Sequence, residues 1–254
     1  MFFFAGPNEY HTLLKDYPRE IRHHLKVFTG HIRLDDAVYK SVDEPFLHFT
    51  ILRNPIDRLV SHYYYILGRE DHKQNDAVIK GKITLAQYAT GEKISAPKNI
   101  MTRYLSGSSE LDGQALNEAK NNLKNLFTFF GFQDKFDESL MLLKNASELQ
   151  NPFYLKKNET KKRKPVQAIP EETLQIIAEN NQLDIQLFEY ALALYQERMQ
   201  SLPSSFFRET ERFKNLNRSF QNLVEEFNTG VNSEQPFFLN TVYDNQDLRE
   251  IQCH

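Results

Sequence analysis

The chain has 254 residues, 40% of them hydrophobic and 26% charged, with a net charge of −3. That balance fits one large α/β domain or two small ones, and it excludes general nucleic-acid binding, so any polyanion site must be local. The single cysteine, Cys253, excludes intrachain disulfides and cysteine-based metal clusters. No apolar run reaches the length of a membrane span. The opening Met1-Phe-Phe-Phe-Ala is too short for a signal-peptide core and has no basic flank, so the chain as given reads as cytoplasmic.

In chain order, the polar residues 7–26 hold a helical stretch around Leu13 to Lys26. Lys26-Val-Phe-Thr-Gly-His31 predicts a short buried strand ending in a glycine turn. Phe46 to Leu52 predicts a second strand. It runs through Arg53-Asn-Pro-Ile-Asp-Arg-Leu-Val-Ser-His-Tyr63 into a helix over 55–68. Pro55 suits the first helical position, where its missing N–H costs nothing. Ile56, Leu59, Val60, Tyr63, Tyr64 and Leu67 recur at helical spacing and mark a buried face, with Ser61 off the densest part of it. Residues 69–98 read as loops and short helices. Asn99 to Leu105 predicts a helix stopped at Ser106-Gly107, and Asp112 an N-cap for a helix reaching Leu126. Phe127-Thr-Phe-Phe-Gly-Phe132 is apolar enough for a buried parallel strand. A helix over Asp137 to Asn145, a basic loop from Tyr154 to Pro165, and one or two helices over Glu171 to Gln200 follow. The character changes at Ser201, with an amphipathic helix over Ser204 to Asn228 and a polar, irregular end. Strands alternating with helices argue a parallel sheet covered on both faces.

Arg53 stands at the carboxyl end of a strand, where open α/β sheets bind ligands. A fixed guanidinium there, with a hydroxyl from the following helix, can grip a phosphate. The other reading of Arg53 is an ordinary ion pair, for instance with Asp57. Arg58 reads as structural, paired with a carboxylate such as Asp57 or Glu70. Lys156, Lys157, Lys161, Lys162, Arg163 and Lys164 put six cations in nine residues. They are either a solvated basic loop or an attractor for a doubly phosphorylated nucleotide or an anionic polysaccharide. Neither GxGxxG nor GxxxxGK[ST] occurs, nor HExxH, nor GxSxG. The sequons at Asn145, Asn158 and Asn217 carry little weight in so asparagine-rich a chain.

Arg53-x-Pro-x-x-Arg58-x-x-Ser61-x-Tyr63, set on a strand, turn and helix, resembles the 3′-phosphate motif of the sulfotransferases, which use 3′-phosphoadenosine 5′-phosphosulfate (PAPS). Thr29-Gly-His-Ile resembles the Gly-His segment of the carbohydrate sulfotransferases, above all the uronyl and heparan sulfate 2-O-sulfotransferases and their bacterial counterparts. Ala115 to Lys144, with Phe130-Gly-Phe132 and Glu138-Ser-Leu-Met-Leu-Leu143, is similar to the same family. So is Leu155-Lys-Lys-Asn-Glu-Thr-Lys-Lys with the proline after it. The likeness runs over about residues 25–198.

The resemblance implies a P-loop-NTPase-like three-layer α/β/α fold with a parallel sheet over residues 1–200, and a helical or irregular tail over 201–254. It implies sulfuryl transfer from PAPS to a hydroxyl, expected on a carbohydrate, leaving adenosine 3′,5′-bisphosphate (PAP) and needing no metal. Arg53 and Ser61 would hold the 3′-phosphate. His31 would be the general base, a task histidine suits near neutral pH, although a histidine that satisfies backbone groups at a turn is its other reading. Lys156, Lys157 and Asn158 fall in the loop that closes over the nucleotide, and Asn99 and Arg103 near the acceptor. The family's first strand ends in a loop such as Pro-Lys-Thr-Gly-(Gly/Ser)-Thr that cradles the phosphosulfate. Nothing before His31 fits it, so the expectation is a chain short of that strand and loop, with impaired activity. Animal relatives are tethered in the Golgi by an N-terminal membrane segment, and a missing upstream segment would allow that location here. Two rival readings stay open: a non-catalytic nucleotide-binding or scaffold protein, and a P-loop-type kinase fragment.

Overall fold

The computed structural model describes residues 2–4, 27–29, 32–34, 47–147, 149, 152–156 and 163–230. Two parallel strand pairs lie among them. Strand β1 (Phe2–Phe4) pairs with β2 (Val27–Thr29), and β3 (His48–Leu52) pairs with β4 (Phe127–Phe132). The second pair runs in register from Phe49 against Phe129 to Leu52 against Phe132, after an irregularity at His48 and Phe49. Parallel neighbours need a long crossover. Here it contains the helices α1 (Pro55–Gly68), α2 (Asn75–Lys80), α3 (Leu85–Thr90), α4 (Ile100–Ser106) and α5 (Gly113–Asn125). After β4 come α6 (Phe136–Ala146), α7 (Glu171–Glu179), α8 (Gln182–Gln200) and α9 (Ser204–Gly230). Helices dominate, with small parallel strand pairs between them. The predicted helix over Leu13 to Lys26 lies outside the described residues. The single-or-double helix expected over Glu171 to Gln200 is two, broken at Asn180 and Asn181.

Two apolar cores hold these elements. In one, Leu52, Phe129 and Phe132 meet Leu123 of α5, Leu142 of α6 and Leu187 of α8, all at most 2% exposed. The Phe132 ring sits edge-on to Phe188 and Tyr195, both at 5.1 Å, a geometry that favours the ring quadrupoles. In the other, Leu59, Val60 and Ile66 of α1 pack with Val78, Tyr88 and Ile177. That stripe fixes the rotation of α1. Asp57 and Ser61 stand on the face of the helix away from it, by 3.6-residue periodicity.

Gly131 shows why an Phe-Gly-Phe strand is needed. A Cβ there would lie 2.4 Å from both Cβ and Oγ of Ser139. The close approach lets Ser139 Oγ accept from Phe132 N at 2.9 Å and donate to Lys135 O at 2.7 Å, so the strand end is tied to the start of α6. Helix α9 is docked on the same core through buried Phe206 and Phe213. Lys214 Nζ lies 2.9 Å from Glu138 Oε1, and buried Asn217 accepts from Tyr154 N at 3.0 Å.

Candidate functional site

The turn between β3 and α1 is built by Asn54. Its Oδ1 accepts from Ile56 N at 3.0 Å and Asp57 N at 3.1 Å, while its own carbonyl takes Arg58 N at 2.8 Å. Pro55 has no N–H to offer. The first-turn donors of α1 are therefore used internally, and an anion at this strand end must be gripped by side chains rather than by helix amides.

The side chains that gather there are Arg53, Asp57 and Arg163. Arg53 Nε donates to Asp57 Oδ2 at 2.7 Å, with Nη2 also 2.7 Å away. Arg163 Nη2 donates to the other oxygen, Asp57 Oδ1. The three side chains are 20–29% exposed, half-buried but open to solvent. Partial burial pushes the Asp57 carboxyl up, but the hydrogen bonds and charges of Arg163 and Arg53 outweigh it and hold the group below the ordinary carboxylate range. Two cations face one anion, so the trio carries a net positive charge. Each guanidinium has five N–H donors, and Asp57 takes a minority of them. Arg163 Nε is buried without an acceptor among the described residues. Ser61 is four residues past Asp57, so its half-exposed hydroxyl lies one turn along the same face, about 6 Å away between Cβ atoms. Of the two sequence readings of Arg53, the structure shows the ion pair with Asp57.

Arg58 departs from expectation. Its partner is neither Asp57 nor Glu70 but the carbonyl of Pro97, to which Nη2 donates. Arg58 follows Asp57 directly on the helix and so projects about 100° away from it. Burial pushes its pKa down, opposed by the nearby Asp184 carboxylate, and the guanidinium still stays charged.

Asp184 is 0% exposed and joins two helix starts. Its Oδ2 accepts from Met101 N at 3.0 Å and Oδ1 from Thr102 N at 2.8 Å, capping α4. Asn99 returns the contact, accepting from Leu183 N at 3.1 Å and Asp184 N at 3.2 Å at the start of α8. Asn99 holds a left-handed conformation, φ 46°, and donates its own N–H to Asn181 Oδ1 at 3.1 Å. Its side-chain oxygen is committed to this reciprocal cap. Arg103, on α4, donates to Ser109 O at 3.1 Å and remains partly exposed.

The basic loop is anchored just before its lysines. Tyr154 Oη donates to Asp137 Oδ1 at 3.0 Å, its ring lies edge-on to Phe136 at 4.7 Å, and burial with Asp137 pushes its phenol up to about 12. Lys156, two residues on, is exposed. Lys157, Asn158 and His31 lie outside the described residues. Three residues after His31, Leu34 N donates to Tyr104 O at 3.1 Å, so the segment following the proposed base is bonded to the helix that carries Arg103.

The sequence reading named Arg53 and Ser61, with Asp57 as the alternative partner of Arg53, and it missed Arg163 as their companion. The signal for Asp57 was its four-residue spacing from Arg53. Arg163 was one of six cations with nothing local to single it out. Among the described residues no group of three His, Cys, Asp or Glu is placed to hold a metal ion, and no helix is long and apolar enough to cross a membrane.

Comparison with known proteins adds the following. A sequence model described as the sulfotransferase family matches residues 1–191. Heparan sulfate 2-O-sulfotransferase 1 of Xenopus laevis is 26% identical over 194 residues, covering 66% of this chain and 52% of the relative. The protein of the same name in Mus musculus is 28% identical over 200 residues with the same coverage. Heparin sulfate O-sulfotransferase of Drosophila melanogaster is 24% identical over 228 residues, covering 75% of this chain and 65% of the relative. The chain spans about half the length of the first two relatives.

Proposed function

This chain belongs to the sulfotransferase family, and on that premise we propose that it serves transfer of a sulfuryl group from PAPS to a hydroxyl of a carbohydrate. The observation that carries the donor half is the convergence of Arg53 and Arg163 on one carboxylate at the end of β3, with Ser61 one turn along α1. A 3′-phosphate fits that place. Two guanidiniums with donors to spare suit a dianion. The names of the relatives support a carbohydrate acceptor, and an acidic polysaccharide suits the basic loop. We take the two parallel pairs as parts of one three-layer sheet of the P-loop type.

In sulfuryl transfer the acceptor oxygen attacks in line, and charge builds on the leaving phosphate. The chain's own part is to position both partners and to meet that charge with fixed cations. Arg53, Arg163 and Ser61 would fix the nucleotide by its 3′-phosphate. Lys156, Lys157 and Asn158 would cover it from the basic loop. His31 would take the acceptor's proton, with Asn99 and Arg103 at the acceptor side. Asn99 can act there only through its amide nitrogen, since its oxygen caps α8. The sequence holds no Pro-Lys-Thr-Gly motif, so the expectation for these 254 residues is binding of PAP with poor turnover of PAPS.

Calorimetric titration tests the assignment. PAP should bind more tightly than adenosine 5′-monophosphate, which lacks the 3′-phosphate, and Arg53→Ala should erase that preference. Equal affinity of wild type and Arg53→Ala for PAP would remove the reading.

A further inference from the structure

We propose that Asp57 is a positioning residue for this site: by holding Arg53 with one carboxylate oxygen and Arg163 with the other, it raises the affinity for a nucleotide 3′-phosphate despite its own negative charge. The inference rests on the phosphate reading of Arg53 and Arg163 and deepens it.

The geometry gives Asp57 a task that neither arginine performs alone. Arg53 follows a strand, and Arg163 arrives from a loop 106 residues away in sequence from Asp57. Long arginine side chains lose rotamer freedom when they grip an anion. A carboxylate that already fixes both removes part of that loss before the ligand arrives. Asp57 is itself fixed, because its backbone N–H is capped by Asn54 and it lies in the first turn of a helix whose opposite face is buried. No other carboxylate is ion-paired with Arg53 or Arg163 among the described residues.

Simple electrostatics predicts the opposite sign. A unit negative charge about 6 Å from a phosphate dianion opposes binding by about tenfold in a water-like dielectric, less in salt. If Asp57 only neutralised its neighbours, Asp57→Asn would therefore bind PAP more tightly. If it positions both guanidiniums, the variant leaves both arginines to lose their rotamer freedom on gripping the phosphate, a cost of up to about tenfold in affinity for each. The net result is then weaker binding, by about tenfold.

Titrations of PAP and adenosine 5′-monophosphate into wild type, Asp57→Asn, Asp57→Glu and Arg53→Ala decide the matter. The expected result is PAP binding about tenfold weaker in Asp57→Asn, with adenosine 5′-monophosphate unchanged, and recovery to within about threefold of wild type in Asp57→Glu. Equal or tighter PAP binding by Asp57→Asn overturns the proposal. So does an equal loss for both nucleotides, which marks a structural residue. If Asp57→Asn does not fold, Asp57→Glu carries the test: loss of the preference for PAP in a folded Asp57→Glu overturns it. Arg53→Ala separates the two ideas. No effect of Arg53→Ala removes the phosphate reading itself, whereas a loss in Arg53→Ala beside a gain in Asp57→Asn leaves that reading and removes only the role of Asp57.

Discussion

Replacing Asp184 with alanine should be among the most damaging single changes to this fold. The carboxylate is 0% exposed and satisfies the N–H groups of Met101 and Thr102 at 3.0 and 2.8 Å. Its removal strands two donors at the buried start of α4 and takes away the carboxylate nearest part-buried Arg58. At about 2 kcal/mol for each stranded donor the loss is about 4 kcal/mol, the size usual for breaking a buried charged network. A domain of ordinary stability has only about 5–15 kcal/mol to lose. Asp184→Asn keeps one carbonyl oxygen and should lose about half as much. Urea unfolding at neutral pH, with midpoints compared at constant m-value, measures both. Either an alanine variant within about 1 kcal/mol of wild type, or an asparagine variant as damaging as alanine, would refute the reasoning that the lost hydrogen bonds set the cost.

Gly131→Ala should cost about 3 kcal/mol in the same assay, because the new methyl has no room beside Ser139 Cβ. Ser139→Ala should not rescue it, and an unchanged midpoint in Gly131→Ala contradicts the packing argument. Glu138 predicts a pH dependence. Burial pushes its carboxyl up, but Lys214 outweighs this and the folded pKa lies below the reference 4.5. A depressed carboxylate stabilises above its unfolded pKa, and that stability is lost as pH falls through the folded value. Glu138→Gln should thus cost about 0.5–1 kcal/mol near pH 7 and progressively less as pH falls below 4.5, read from thermal or urea unfolding across that range. A difference that grows toward low pH contradicts the sign.

What the sequence disclosed was local. The strand, turn and helix around Arg53 were readable because Pro55, Asn54 and a 3.6-residue apolar stripe all act within a few residues of one another. The helix from Asp112 and the strand Phe127–Phe132 were readable for the same reason, a side-chain cap in one and an unbroken apolar run in the other. The three-residue strand Phe2–Phe4 is too short to show a period. The missed features are pairings across long stretches of chain. Arg163 meets Asp57 over 106 residues, and Asp184 caps Met101 over 83. Spacing carries no sign of such contacts, and the usual expectation that charged side chains face water hid both Arg58 and Asp184. Helix α9 docks through Phe206 and Phe213, whose partners lie in elements far upstream.

The most direct measurement is a crystal structure of this chain grown with PAP. The account predicts the 3′-phosphate about 3 Å from the guanidiniums of Arg53 and Arg163 and from Ser61 Oγ, with Asp57 still bridging the two arginines. A phosphate bound elsewhere, while Arg53 and Arg163 remain paired only to Asp57, would contradict it.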